Sequence, residues 1–92
     1  MHKIALTLIT ILNLSSLPLS HTVLLSGDEM VEVGELGKDQ IVTVGIHLKD
    51  SVSVVFKLDK DGKEWLGTGL IPAQDTIKIT DETKIFEYLL AN

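Results

Sequence analysis

The chain has 92 residues, of which 45% are hydrophobic, 4% aromatic and none cysteine. That is the size of one small domain with no disulfide or thiolate-bound metal to hold it, so apolar packing must do so. Eight lysines without an arginine, against 13 acids, leave a net charge of −5, which argues against the arginine-based phosphate and base readout of nucleic-acid binders.

The charge is unevenly placed. Residues 1–26 carry one charged side chain, Lys3, whereas residues 27–92 hold seven lysines and all 13 acids, a net charge of −6. Two regions follow: an apolar N-terminal arm, or a signal peptide, over 1–26, and an acidic β domain over 27–92. As a signal peptide, Met1-His2-Lys3 is the basic start and Ile4 to Leu12 the apolar stretch. Its cleavage site fits poorly, because no Ala-x-Ala occurs and Pro18 stands at −3 for a cut after Ser20. A membrane span over Ile4 to Leu25 is disfavoured by the polar residues that interrupt it, from Thr7 to His21. As an extended arm, Ile4, Leu6, Leu8, Leu12 and Leu14 lie on one side, and Ile9 and Ile11 on the other. A strand apolar on both faces must be covered on both. These seven residues are therefore expected to form an assembly interface, joined by Trp65. Deleting residues 1–20 is then expected to leave a folded acidic domain that no longer assembles.

Along the rest of the chain, strands follow one another. Thr22 to Leu25 and Met30 to Val33 are short candidates. Ile41 to Leu48 alternates, with Val42, Val44, Ile46 and Leu48 on one face. Ser51 to Asp59 sets Val52, Val54, Phe56 and Leu58 inward, with Val55 the one apolar residue facing out. Ile77 and Ile79 alternate in Thr76 to Thr80, and Lys84 to Leu90 reads as a last strand. Of these, Val42, Val44, Ile46, Val52, Val54, Phe56, Leu58, Ile77 and Ile79 form the expected core. Lys49-Asp50 is expected to make a tight hairpin. Lys60-Asp61-Gly62 is expected to make another, with Gly62 at positive φ. Pro18 and Pro72 fall in connections. The expected fold is all-β, a small antiparallel sandwich or barrel with little helix.

No motif declares a chemistry. Asp59-Lys60-Asp61-Gly62 opens like a calcium loop, but position 12 is Leu70 rather than Glu and strands flank it, so a turn is the better reading. Gly67-Thr68-Gly69 lacks the rest of a phosphate loop. His2, His21 and His47 have no metal-ligand spacing, and Asp28, Glu29, Glu32 and Glu35 read as a solvated acidic edge. No catalytic residue, metal site or cofactor is assigned. Trp65, the sole tryptophan, suits a core or interface position, or alternatively a platform for a sugar ring.

The segment VSVVFKLDKDGKEWLGTGLI (52–71), followed by IKIT (77–80) and IFEYLL (85–90), resembles the small β-sandwich structural proteins of tailed-bacteriophage particles. Their recurring segment runs strand, S-x-D-G-G-x-T-W, strand. Here the turn carries one glycine, and Lys63-Glu64 replaces small residues. The resemblance spans residues 52–90 and implies a virion protein: a capsid decoration, head–tail or tail component without catalytic residues. Small size and open sheet edges point to self-association as well. Acidity speaks against nucleic-acid contact. The expected function is thus a non-enzymatic virion subunit that binds copies of itself or other virion proteins. The alternative is a secreted or periplasmic binding module with a cleaved leader and a sugar on Trp65.

Overall fold

The computed structural model describes residues 6–47, 50–59 and 61–88, and every regular element among them is a strand. In chain order these are β1 (Thr7–Asn13), β2 (Leu19–Ser26), β3 (Glu29–Leu36), β4 (Ile41–Ile46), β5 (Ser51–Lys57), β6 (Trp65–Gly67), β7 (Ile71–Pro72), β8 (Thr76–Ile79) and β9 (Phe86–Tyr88). They form two sheets, a three-stranded one ordered β4-β1-β8 and a larger one ordered β3-β2-β5-β6-β9, with β7 pairing with the start of β5. All pairings are antiparallel except β1 with β8. The all-β expectation of a small sandwich therefore stands.

Alternation decides which side chains meet between the sheets. Ile9 and Ile11 of β1, Ile46 of β4, and Ile77 and Ile79 of β8 point inward from one sheet. Leu19 and Leu24 of β2, Leu36 of β3, and Val52, Val54 and Phe56 of β5 meet them from the other. All are essentially fully buried. A buried Leu, Ile, Val or Phe side chain contributes about 1.5–3 kcal/mol.

Several expectations are corrected. The described part of the expected arm is not separate from the acidic domain: β1 is the middle strand of its sheet and β2 an inner strand of the other. Ile9 and Ile11, expected at an interface, lie inside the chain's own core with no exposed surface. No hairpin joins β4 to β5, because β4 pairs with β1 and β5 with β2 in the opposite sheet. The connection at residue 50 instead carries the chain across the sandwich; Leu48 and Lys49 lie outside the described residues. β5 and β6 do pair antiparallel, but Gly62 has ordinary φ. Its turn closes through the Asp59 carbonyl, which accepts from the Gly62 N–H, and the Asp59 carboxylate, which accepts from the Asp61 N–H; Lys60 lies outside the described residues. The tight hairpin is elsewhere: Gly27 and Asp28 join β2 to β3, and Gly27 takes φ +58° between the paired Ser26 and Glu29. Leu58 falls beyond the end of β5 and is exposed rather than core, and Val42 and Val44 are only half-buried. Pro72 closes β7, a two-residue pairing at a sheet margin, where a missing N–H costs little.

Two polar devices fasten the region where the chain crosses from one sheet to the other. Asn13, fully buried, donates through Nδ2 to the Leu17 and Leu36 carbonyls at 2.8 and 2.9 Å, and its Oδ1 accepts from the Ser15 backbone and hydroxyl. All four hydrogen-bonding positions of the amide are used. Nearby, the Asp81 carboxylate accepts from the Ser16 N–H at 2.8 Å and from its hydroxyl at 3.0 Å. The backbone bond first, then the hydroxyl bond, holds the Asp81 carboxyl below its ordinary value, with Lys38 adding attraction.

Candidate functional site

With inward positions spent on the core, the outer faces of the two sheets carry what remains for function. On the smaller sheet the outward positions of β1 are Leu8, Thr10 and Leu12, preceded by Leu6. Register sets Leu8 opposite Gly45, Thr10 opposite Thr43 and Leu12 opposite Ile41 on β4, while Thr10 and Leu12 adjoin Thr76 and Lys78 on β8. Leu6, Leu8 and Ile41 are 62%, 67% and 63% exposed. Because Gly45 has no side chain, Leu6 and Leu8 lie over its backbone: a Cβ there would meet both at 3.7–3.8 Å. The threonines fill the centre, with Thr10 and Thr43 hydroxyls bonded at 2.9 Å. Lys78 is the one charge among these strand positions. Both margins of this sheet, β4 and β8, are edge strands.

The structure thus divides the expected interface set. Leu6, Leu8 and Leu12 share this face, Leu14 is exposed just beyond β1, and Ile4 lies outside the described residues. Trp65 is on the other sheet and is not brought together with them. Ile41 completes the patch and was missed. It belongs to a strand whose next residue, Val42, marks the inward face, and only the pairing with Leu12 reveals its company.

The larger sheet presents a different surface. Phe56 and Leu66 are paired and point inward, so Trp65 and Gly67 on β6 point outward, with Tyr88 and Phe86 opposite them on β9. Trp65 lines two adjoining cavities, both with walls from β2 and β3, so its indole reaches across β5, which lies between. This explains Val55, the apolar residue out of pattern in its strand: it faces outward yet is only 3% exposed, and it lines the larger cavity beneath the aromatic rings. That cavity, about 330 Å³, is bounded also by Val23, Leu25, Met30, Glu32 and Tyr88. The smaller, about 180 Å³, is bounded by His21, Thr22, Val23, Glu32, Gly34 and Trp65. Lys57 places its ammonium 4.7 Å from the indole centroid, a cation–π contact that helps fix the ring.

The smaller cavity exists because β2 and β3 are irregular there. β2 carries an extra residue around His21 relative to both neighbours. His21 takes φ +51°, and Gly34, the register partner of Thr22, takes φ +87°. Bulges re-aim side chains, and a non-glycine residue at positive φ costs of order 1–3 kcal/mol. Thr22 is buried, and its hydroxyl is the buried side-chain polar atom that finds no partner among the described residues. Leaving such a group unmade costs about 1–3 kcal/mol. His21, Thr22, Glu32 and Tyr88 were not expected as site residues. The out-of-pattern Val55 was the available signal for a covered outer face, and nothing in the sequence marks the bulge.

Elsewhere the polar side chains have local work. His47 is bonded to Glu29 across β3 and β4, Ser20 to Glu35 at 2.8 Å, and the Thr68 hydroxyl accepts from the Val54 N–H at 3.1 Å. Among the described residues no three His, Cys, Asp or Glu side chains gather to hold a metal ion, and no helix is long and apolar enough to cross a membrane. Comparison with protein-family models, with curated proteins and with solved structures finds no match to this chain.

Proposed function

We propose that this chain is a non-enzymatic structural subunit that packs against copies of itself through the outer face of the β4-β1-β8 sheet. The class of particle is the one its 52–90 segment resembles, the tailed-phage virion with small β-sandwich decoration, head–tail or tail proteins. The carrying observation is the apolar face of Leu6, Leu8 and Ile41, largely exposed, with half-buried Leu12 between them and one lysine among its strand positions. Contiguous apolar exposure of this kind marks interaction sites. A second copy is the occupant that charge favours. Each copy carries −5, and a face with no acid among its strand positions lets two copies meet with less repulsion than the acidic remainder of the chain. The same patch on both partners makes a two-fold contact self-complementary, and the β4 and β8 edges offer backbone groups to extend it. The reading keeps the expected leucines as an interface but moves it from a detached arm to the outside of a core strand. The alternative, a binding module with a sugar on Trp65, draws support from the aromatic cavities of the opposite sheet.

Sedimentation of the full chain over a range of concentrations tests self-association. The wild-type chain is expected to associate, and Leu8→Glu is expected to be monomeric with an unchanged melting temperature. A wild-type chain that stays monomeric at high concentration overturns the proposal.

A further inference from the structure

We infer that a second copy of the chain joins by pairing its β4 antiparallel with β4, about a two-fold axis at Thr43, so that the two small sheets run on as one. The inference rests on the self-association reading and names the strand through which the copies meet.

The two sheets end on β3 and β9 and on β4 and β8. Three of these edges carry features that discourage further pairing. β3 holds Glu29, Glu32 and Glu35 and slips in register against β2 near Gly34, which takes positive φ. β8 is four residues long and includes Lys78, and β9 is three residues long and includes Glu87. β4 differs: it has six residues, Ile-Val-Thr-Val-Gly-Ile, with no charge, no proline and no shift against β1. The ladder shows which of its backbone groups are free. The Asn13 N–H donates to the Gln40 carbonyl, so by alternation Val42, Val44 and Ile46 turn their backbone groups toward β1. Ile41, Thr43 and Gly45 turn theirs outward. β3, though tied to the end of β4 by the His47–Glu29 bond, pairs only with β2 among the described residues.

The strand's own sequence makes a second β4 the occupant. With Thr43 opposite itself, Val42 meets Val44 and Ile41 meets Gly45 of the second copy, and no charges oppose each other along the strand. Val42 and Val44 pack toward the core yet are only half-buried at this margin, and the pairing covers what a single chain leaves open. The Thr43 hydroxyl is bonded to that of Thr10 at 2.9 Å, and Thr10 adjoins Thr76. This row of threonines continues through the axis unbroken. Leu8 lies over Gly45 and so reaches Ile41 of the second copy, which makes the two apolar faces one. Leu8→Glu is therefore expected to break this contact as well.

Amide hydrogen exchange of the full chain, followed by NMR at low and high protein concentration, tests the pairing residue by residue. On association the amides of Ile41, Thr43 and Gly45 are expected to exchange at least about tenfold more slowly. The Thr10 N–H donates to the Asp75 carbonyl, so Thr76 and Lys78 turn their amides to the other margin, where exchange is expected to keep its rate. Thr43→Lys sets like charges opposite each other at the axis and is expected to weaken association about fivefold or more. Thr43 is exposed, so the melting temperature is expected to change little. An equimolar mixture of Thr43→Lys with Thr43→Glu is expected to restore association. A wild-type chain that stays monomeric overturns this inference together with the reading it rests on. Association without slower exchange at Ile41, Thr43 and Gly45, or with slower exchange at Thr76 and Lys78 instead, overturns the inference alone and leaves face packing as the contact. A mixture that associates no better than either variant by itself overturns the inference too, because Thr43 then does not meet itself.

Discussion

The two outer faces of the sandwich hold similar apolar material and arrange it for different ends. On the smaller sheet Leu6, Leu8, Leu12 and Ile41 surround a threonine centre with no aromatic ring and no acid among the strand positions. On the larger sheet Trp65, Tyr88 and Met30 surround a hollow, with Glu32, His21 and Lys57 at its rim. Regularity makes the difference. β1 and β4 pair over six consecutive residues without a shift, which gives a continuous ladder. β2 is bulged against both neighbours, and Trp65 reaches across the gap in pattern. A face of the first kind suits burial against a similar face, whereas one of the second kind offers a cleft.

The largest expected effect comes from removing the strand that carries the first face. Deleting residues 1–20 takes away Ile9, Ile11 and Leu19, the Asn13 hub, and the one partner that β4 and β8 share. Three such side chains contribute about 5–9 kcal/mol gross, comparable to the whole stability of a domain, about 5–15 kcal/mol. The truncated chain is expected to give a disordered far-UV spectrum and no cooperative melt, and the aromatic cavities are expected to go with the fold. A truncated chain that melts cooperatively breaks the comparison, because the leucine face would then belong to a dispensable segment.

A paired substitution separates the inside of β1 from its outside. Ile11→Ala opens a cavity at a position with no exposure and is expected to cost about 2–5 kcal/mol in urea unfolding. Leu8→Ala, three residues earlier on the outward side, is expected to change stability by no more than about 0.5 kcal/mol while weakening self-association. Equal losses at the two positions would mean that the outward leucines are already covered within one chain.

How much of this was legible in the sequence follows from the range of the interactions. Alternation in Ser51 to Lys57 and Thr76 to Ile79 named Val52, Val54, Phe56, Ile77 and Ile79 as core, because a period of two is a local property. The same alternation in Thr7 to Asn13 separated Ile9 and Ile11 from Leu6, Leu8 and Leu12, but which side faces the core depends on β4 and β8, far along the chain. The parallel pairing of β1 with β8 joins residues more than 60 apart and leaves no local trace. Asn13 read as an interruption of an apolar run, whereas it is a saturated buried hub whose partners include the distant Leu36. For the aromatic face, Trp65 was legible as a single large residue. Its neighbours Thr22 and Glu32 were not, since a bulge sets them in place.

The smallest expected effect concerns the end where the two faces are tied together. Asp81, in the turn after β8, accepts from Ser16, in the connection from β1 to β2, and so ties the end of β8 to the crossover between the sheets, close in sequence to the Asn13 hub. Its carboxyl is held below the ordinary value, chiefly by the Ser16 backbone bond. A carboxyl with a lower value folded than unfolded stabilises the fold at pH above the unfolded value, and that contribution is lost as pH falls through the folded one. Wild type is therefore expected to melt slightly above Asp81→Asn at neutral pH, with the gap constant down to about pH 5 and closing below about pH 4. Because the group is fully solvent-exposed, the gap is expected to be small and to narrow with added salt, since Lys38 contributes through an exposed charge. A gap that persists unchanged in acid would mean that hydrogen-bond geometry rather than charge fastens this corner. The orientation of the two faces would then be insensitive to pH.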